Sequence, residues 1–158
     1  MFDRAFKLII GHEGGYVDDP VDPGGETKWG ISRRAYPGRD IKNMTLTTAK
    51  QIYRADYWDK CRCAQMPWSL AVMIFDCAVN QGPGVAIKYL QDAVGTTPDG
   101  QIGPVTLQAL AAAQGDGYVL SREVALDRIM RYTSTDNFGR YGRGWIRRTL
   151  ETLTEGVK

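Results

Sequence analysis

Several features are missing from this sequence of 158 residues, and each absence excludes a class of protein. No apolar run reaches the roughly 18 residues that a membrane-spanning helix requires, so we expect no stable membrane insertion. The N-terminal segment combines a short apolar stretch around Leu8 with charges of both signs, so we expect no signal peptide and synthesis in the cytoplasm. The formal net charge is only +2, which is too small to predict a nucleic-acid partner.

Cysteine and histidine are both scarce. The three cysteines, Cys61, Cys63 and Cys77, are an odd number and do not suit the disulfide framework of a small secreted domain. The alternative is a zinc site built from these thiolates and the single histidine, His12, but the C-x-C spacing is poor for structural zinc. We therefore expect three reduced and mostly buried thiols, with no metal and no cofactor.

The spacing of the apolar residues predicts a mainly α fold around one core. An apolar face that begins at Phe2 predicts a first helix, which we expect to stop at the pair Gly14-Gly15. Either Thr45 or Thr47 is expected to cap the next helix, which runs to about residue 59.

The most apolar segment follows Pro67, a residue that suits the first turn of a helix. From Trp68 to about Asn80 the chain is apolar almost all round, which predicts the central buried helix. Turn residues then separate four further predicted helices, at about 85–94, 104–113, 118–132 and 138–153.

Glycine, proline and acidic residues are concentrated in one segment, from Gly11 to Ile31. Tyr16-Val17 and the segment from residue 27 to 31 are predicted to pair as a short hairpin across an acidic loop. Within that loop, Asp22-Pro23-Gly24-Gly25 has the residue order of a type II turn. Ser32 is expected to cap a short helix that ends before the following proline.

This acidic segment holds the residue types that glycoside hydrolysis needs. A carboxylic acid must stay protonated to donate to the leaving oxygen, and the end of an apolar helix disfavours the charged form of Glu13. Asp22 is the candidate for the carboxylate that stays ionised, with Asp18 and Asp19 as alternatives, and Thr27 is a candidate for holding a water. In the simpler interpretation, Glu13 is a solvated helix-end residue and Asp22 only forms the turn.

A second alternative for the same segment is a calcium site. Its oxygen ligands would come from three aspartates and Glu26. The spacing does not match an EF-hand loop, which needs ligands at alternate positions and a central glycine.

Five motifs in this order resemble glycoside hydrolase family 108, the lysozyme-like N-acetylmuramidases found among phage endolysins. The first is HEGGYVDDPVDPGGETKWGIS, with its E-G-G-Y element and its D-P-G-G-x-T turn. YRADYWDKC and FDCAVNQGPGVAIKYLQ follow, and both are similar to segments of the catalytic region. DGQIGPVTLQAL and FGRYGRGWIRR resemble the predicted peptidoglycan-binding region of the family.

The resemblance implies a lysozyme-like helical fold with a small β-hairpin at the active-site cleft. It implies a catalytic region over residues 1–90 and a helical peptidoglycan-binding segment over 91–158, packed into the same globule. Glu13 corresponds to the catalytic acid of the family. The phage-type pattern places a threonine after five intervening residues, whereas four residues separate Asp22 from Thr27 here, which leaves the water-activating role of Thr27 open.

The implied reaction is hydrolysis of the β-1,4 bond between N-acetylmuramic acid and N-acetylglucosamine in peptidoglycan. The implied protein is an endolysin-like monomer whose partner is peptidoglycan, and it acts on the wall or in the periplasm after release or export. The alternative is a catalytically silent relative that binds the wall or assists secretion or phage assembly.

Substrate contacts are expected at two places. Tyr16 and Trp29 flank the candidate acid and could stack on sugars, or they could simply pack the hairpin. Asp76, Asn80 and Gln81 stand at the end of the apolar helix, where a polar terminus often faces a cleft, although Asp76 also suits a buried structural hydrogen bond.

The last predicted helix carries four arginines and no acidic residue between residues 138 and 148. These arginines could attract the anionic wall, or they could form an ordinary solvated helix face. Their positions are Arg140, Arg143, Arg147 and Arg148.

Overall fold

Helices dominate the computed structural model of this protein, as the apolar spacing predicts. The structure describes residues 1–11, 15–18, 25–113, 115 and 117–158. Within these ranges the chain divides into two compact units, Met1–Ala55 and Asp56–Lys158. A search of the same ranges for a long apolar helix able to cross a membrane finds none.

Helix α1, Phe2–Ile10, opens the first unit and buries Phe2, Ala5 and Phe6. The Phe6 ring meets the Tyr53 ring edge-on, with 5.6 Å between centroids. The prediction that this helix stops at Gly14-Gly15 is wrong, because α1 ends at Ile10 and is followed by Gly11 with a φ of 56°. Glycine tolerates this left-handed conformation, so the first glycine after the apolar run already ends the helix.

The predicted hairpin is confirmed, and it belongs to a three-stranded antiparallel sheet. Strand β1, Tyr16–Val17, pairs with β2, Thr27–Lys28, in the register Tyr16 to Lys28. Strand β2 also pairs with an unpredicted strand β3, Ile31–Ser32. Ser32 thus lies in a strand rather than capping a helix, and its Oγ accepts only a turn hydrogen bond from the Ala35 backbone at 3.3 Å.

The β2–β3 turn consists of Trp29 and Gly30, whose φ angles are 54° and 73°. Two consecutive left-handed residues define the type I′ turn that suits the twist of a tight hairpin. A side chain at Gly30 would collide with the Tyr53 hydroxyl, 2.4 Å from an added Cβ. The turn therefore requires glycine at this position.

Helix α2, Leu46–Tyr53, completes the first unit. Of the two predicted caps, Thr45 is the one used: its Oγ1 accepts from the Thr48 backbone at 3.1 Å. The helical path continues to Asp59, as predicted, but Arg54–Asp59 is π-helical.

The second unit is built around helix α3, Trp68–Gln81, whose residues 69–78 are all buried. This confirms the predicted central helix. Three helices pack on α3: α4, Pro83–Ala93, α6, Gly117–Thr133, and α7, Phe138–Glu155. Helix α5, Pro104–Ala112, lies between α4 and α6 in sequence. The division at residues 90 and 91 stays a prediction.

Cys61, Cys63 and Cys77 are buried and free, as predicted. Burial raises the pKa of Cys61 and of Cys77 to about 12, so both are neutral thiols at physiological pH. They behave as small apolar core residues of the second unit.

Candidate functional site

The two candidate catalytic carboxylates, Glu13 and Asp22, lie outside the residues that the structure describes, as does Asp19. Their roles therefore stay predictions. The structure describes the chain on either side of them, including the end of α1 and the strands β1 and β2.

Glu26 contacts two polar side chains of the first unit, and we call Glu26, Arg33 and Tyr16 the Glu26 clamp. The carboxylate of Glu26 accepts from Arg33 Nε at 2.7 Å and also pairs with Arg33 Nη2. Its second oxygen accepts from the Tyr16 hydroxyl at 2.8 Å. Both oxygens of the Glu26 carboxylate thus accept hydrogen bonds from side chains of the clamp.

The clamp also shifts the pKa values of Glu26 and Tyr16. The hydrogen bond from Arg33, followed by that from Tyr16, lowers the pKa of Glu26 below its ordinary value. The hydrogen bond to Glu26 is the main cause that raises the pKa of Tyr16 to about 12. Both shifts favour an ionised Glu26 and a neutral Tyr16 at neutral pH.

Thr27 and Trp29 occupy the sheet beside the clamp. The Thr27 hydroxyl donates to the Gly25 carbonyl at 3.4 Å, a long hydrogen bond from a half-buried residue. The Trp29 indole donates to the Met44 carbonyl at 3.2 Å, and the Trp29 carbonyl accepts from Tyr53. Trp29 is thereby positioned as a hairpin anchor, while Tyr16 is exposed. Their contacts with substrate stay predictions.

Asp76 lies on α3 and is only 3% exposed. One of its carboxylate oxygens lies 2.9 Å from Nε and 2.7 Å from Nη2 of Arg148 on α7. The other oxygen pairs with Arg128 of α6 at 2.6 Å. The structural role that the sequence left open is therefore observed, and the role of Asp76 in substrate contact stays a prediction.

Asn80 is joined to the same ion pairs through Tyr132. Arg128 Nε donates to the Tyr132 hydroxyl at 2.9 Å, and that hydroxyl donates to Asn80 Oδ1 at 2.6 Å. Gln81 accepts a weak hydrogen bond from the Cys77 thiol at 3.6 Å. Of the predicted substrate residues on α3, Asp76 and Asn80 thus share one network and Gln81 lies beside it.

The sequence reasoning missed Arg128, although this side chain is fully buried. Burial lowers the pKa of Arg128 and is the largest single cause, but the Asp76 carboxylate, Tyr132 and Cys77 together outweigh it and leave that pKa raised. The spacing of Arg128 and Tyr132 on one helix is common on solvated faces, so nothing in the sequence indicated a buried cation. By contrast, the opposite charges of Glu26 and Arg33 around a predicted hairpin were a usable signal.

The four arginines of α7 have different surroundings. Arg148 pairs with Asp76, and the Arg140 guanidinium lies 5.2 Å from the centre of the Tyr141 ring. Arg143 and Arg147 are exposed and form no ion pair with any residue that the structure describes. The hypothesis that these arginines attract the anionic wall, which we call the steering hypothesis, stays a prediction for all four.

Comparison with known proteins gives three findings. The model of the family Glycosyl hydrolase 108 matches residues 6–82, and the model described as Predicted Peptidoglycan domain matches residues 85–150. No curated protein matches the chain. A solved structure titled "Structure of Brucella abortus SagA" is 33% identical, covers 99% of this chain and 93% of that chain, and has a TM-score of 0.87.

The family match begins within α1 and ends just after α3, so it includes Glu13, the Glu26 clamp and Asp76. The second match includes the residues of α6 and α7 that pair with Asp76. With both family models matched in order, and a relative of 33% identity aligned over nearly its whole length, this chain belongs to glycosyl hydrolase family 108, with a predicted peptidoglycan domain after its glycosyl hydrolase region.

Proposed function

We propose that this protein is an endolysin-like muramidase, which cleaves the β-1,4 bond between N-acetylmuramic acid and N-acetylglucosamine in peptidoglycan. The observation that carries the proposal is the match of the glycosyl hydrolase family over residues 6–82, the stretch that contains Glu13. The peptidoglycan domain matched over residues 85–150 supplies the substrate class.

In this proposal Glu13 protonates the glycosidic oxygen as the bond breaks. Glu13 follows the C-terminal end of α1 in sequence, and the negative end of a helix dipole favours the protonated form of a nearby carboxyl group. Asp22 remains ionised and stabilises the oxocarbenium-like transition state or orients the attacking water. Thr27 assists with that water.

The Glu26 clamp supports this division of roles. Its hydrogen bonds join β1, which follows Glu13 in sequence, to Glu26 and Arg33, which follow Asp22. The backbone of Arg33 also donates to the Glu26 carbonyl at 2.8 Å. Transition-state stabilisation requires catalytic groups on a rigid support, and these bonds provide one for both ends of the acidic segment.

The test is lysis of purified peptidoglycan by Glu13→Gln, with Glu123→Gln on α6 as a matched control. Glutamine keeps the shape of the side chain but cannot donate the proton of a carboxylic acid, so we expect lytic activity to fall at least about a hundredfold. The control removes an exposed carboxylate from the second unit and should retain full activity. Mass spectrometry of the released reducing ends distinguishes a muramidase from a glucosaminidase.

The competing function is a catalytically silent wall-binding or accessory protein, for which the peptidoglycan domain alone would suffice. Its signature is wild-type protein that sediments with cell walls and leaves no cleared zone in a gel containing them. That result, or full lysis by a folded Glu13→Gln variant, would contradict the proposed mechanism.

Because peptidoglycan lies outside the cytoplasmic membrane, the proposal requires release or export after synthesis in the cytoplasm. Cell fractionation before and after permeabilisation of the membrane tests this route. The monomeric state also stays a prediction, which light scattering of the purified protein checks.

A further inference from the structure

The arginine pairs around Asp76 leave a positive charge unbalanced. One carboxylate faces two guanidinium groups, those of Arg128 and Arg148, and neither arginine forms another ion pair within the described part of the chain. Arg128 is fully buried, and its Nη2 has no hydrogen-bond partner among those residues. A buried cation without full compensation is costly, so this cluster is suited to accept an anion.

The excess charge reaches the surface through Arg148. Its side chain is 38% exposed, whereas that of Arg128 is not exposed at all. Asp76 holds the Arg148 guanidinium through two of its nitrogens, so the orientation of this group is set before any ligand arrives. A preorganised guanidinium binds a carboxylate with less loss of entropy than a mobile one.

Two aromatic residues precede this cation on α7, and one of them stacks on a ring of α6. The Trp145 ring stacks on Tyr132 with centroids 5.0 Å apart, and the Tyr141 ring lies 5.8 Å from Trp145. Tyr141, Trp145 and Arg148 are spaced four and three residues apart, which places them on one face of α7. Tyr141 is 46% exposed, and the Arg140 guanidinium lies 5.2 Å from the centre of its ring, so a ligand that reaches the outer end of this stack also meets a second cation.

Asn80 completes the surface at the end of α3. Its amide oxygen accepts from Tyr132, the inner ring of the stack. Its amide nitrogen has no partner in the part of the chain described, and the residue is exposed. The surface thus combines aromatic rings, an amide donor and a fixed guanidinium, which are the groups that recognise an N-acetyl sugar carrying a carboxylate.

We propose that Tyr141, Trp145, Arg148 and Asn80, which we call the α7 surface, bind a muropeptide unit of peptidoglycan, with a sugar ring on Tyr141 and a stem-peptide carboxylate on Arg148. The inference rests on the proposed function for its ligand class, since residues 85–150 match a peptidoglycan domain. It goes further by assigning the residues and by requiring a free carboxylate on the ligand.

The test is calorimetric titration of the full chain with N-acetylglucosaminyl-N-acetylmuramyl tripeptide, and with the same compound after amidation of its carboxylates. We expect the acid form to bind about tenfold more tightly than the amidated form, because a charge-assisted hydrogen bond is lost on amidation. Tyr141→Ala should weaken the binding of both compounds about tenfold. Arg148→Gln should weaken the binding of the acid form alone and should therefore abolish the difference in affinity between the two compounds.

Tyr118→Ala is the matched control, because Tyr118 is 44% exposed on α6 and is not one of the rings of the α7 stack. It should bind both compounds as the wild type does. Arg148→Lys keeps the charge without the paired nitrogens and should retain part of the preference for the acid form. If Arg148→Gln does not fold, the comparison of the two compounds on the wild-type protein still tests the charge requirement.

The proposal is overturned if Tyr141→Ala binds as well as Tyr118→Ala, or if the wild type does not distinguish the two compounds. Lysis of cell walls, measured on the same wild-type preparation, separates this failure from that of the proposed function. Lysis without the binding pattern refutes the α7 surface alone. The binding pattern without lysis supports the α7 surface and refutes the muramidase.

Discussion

The replacement Asp76→Asn tests the central ion pairs of the second unit. Asparagine keeps the size of the side chain but removes the charge that Arg128 and Arg148 share. Arg128 is fully buried, and removal of one partner from a buried pair costs about 3–5 kcal/mol. Arg148 can turn toward water, so its share is no more than about 1 kcal/mol.

We therefore expect Asp76→Asn to lower the free energy of unfolding by about 3–5 kcal/mol. For a domain of this size such a loss lowers Tm by roughly 6–20 °C. Urea unfolding followed by circular dichroism measures the change, and Asp136→Asn, an exposed aspartate, is the matched control. The control should change the free energy by less than about 0.5 kcal/mol.

A second replacement makes the test specific to the buried charge. In the double variant Asp76→Asn with Arg128→Met, the unpaired cation is gone, so part of the lost stability should return. Two results would refute the reasoning: a loss below about 1 kcal/mol in Asp76→Asn, or a double variant less stable than the single one.

Three further predictions concern the catalytic segment and the wall. Asp22→Asn should slow turnover much more than it weakens sedimentation with cell walls, and Thr27→Ala should have a smaller effect; full activity of Asp22→Asn would make another aspartate the second carboxylate. The clamp stabilises the hairpin fully above the ordinary pKa of a glutamate, and this stabilisation is lost as the pH falls through the lowered pKa of Glu26. In Glu26→Gln, the protection of the hairpin amides against hydrogen exchange should therefore depend less on pH on the acid side. Replacement of Arg140 and Arg143 by Gln should reduce the salt dependence of lysis while cleavage of a short soluble glycan stays the same, and an unchanged salt dependence would contradict the steering hypothesis.

Much of the fold could be predicted because its signals are local. A nearly continuous apolar segment that follows a helix-starting proline predicts a central buried helix, and α3 is one. The cap at Thr45 and the prolines that begin α4 and α5 depend on neighbouring residues alone. The hairpin followed from two extended segments on either side of turn residues.

The errors arose where several local choices were equivalent. Gly11 and Gly14 can each end a helix, and the sequence does not say which one does. Trp29 adopts a left-handed φ that its residue type disfavours. The indole bond to Met44 and the Tyr53 bond to the Trp29 carbonyl, both of them contacts distant in sequence, stabilise this conformation.

The candidate site shows the same difference between local signals and contacts distant in sequence. The family could be identified from the sequence, because its motifs place particular residue types at short spacings. The roles of Glu13 and Asp22, inferred from the same motifs, stay predictions. The tertiary structure alone decided that Asp76 meets two arginines from helices 52 and 72 residues farther along the chain. It also decided that Arg128 is buried rather than solvated. Charge pairing over such separations depends on how α3, α6 and α7 pack. The spacing of apolar residues within one helix does not indicate which distant helix packs on each of its faces.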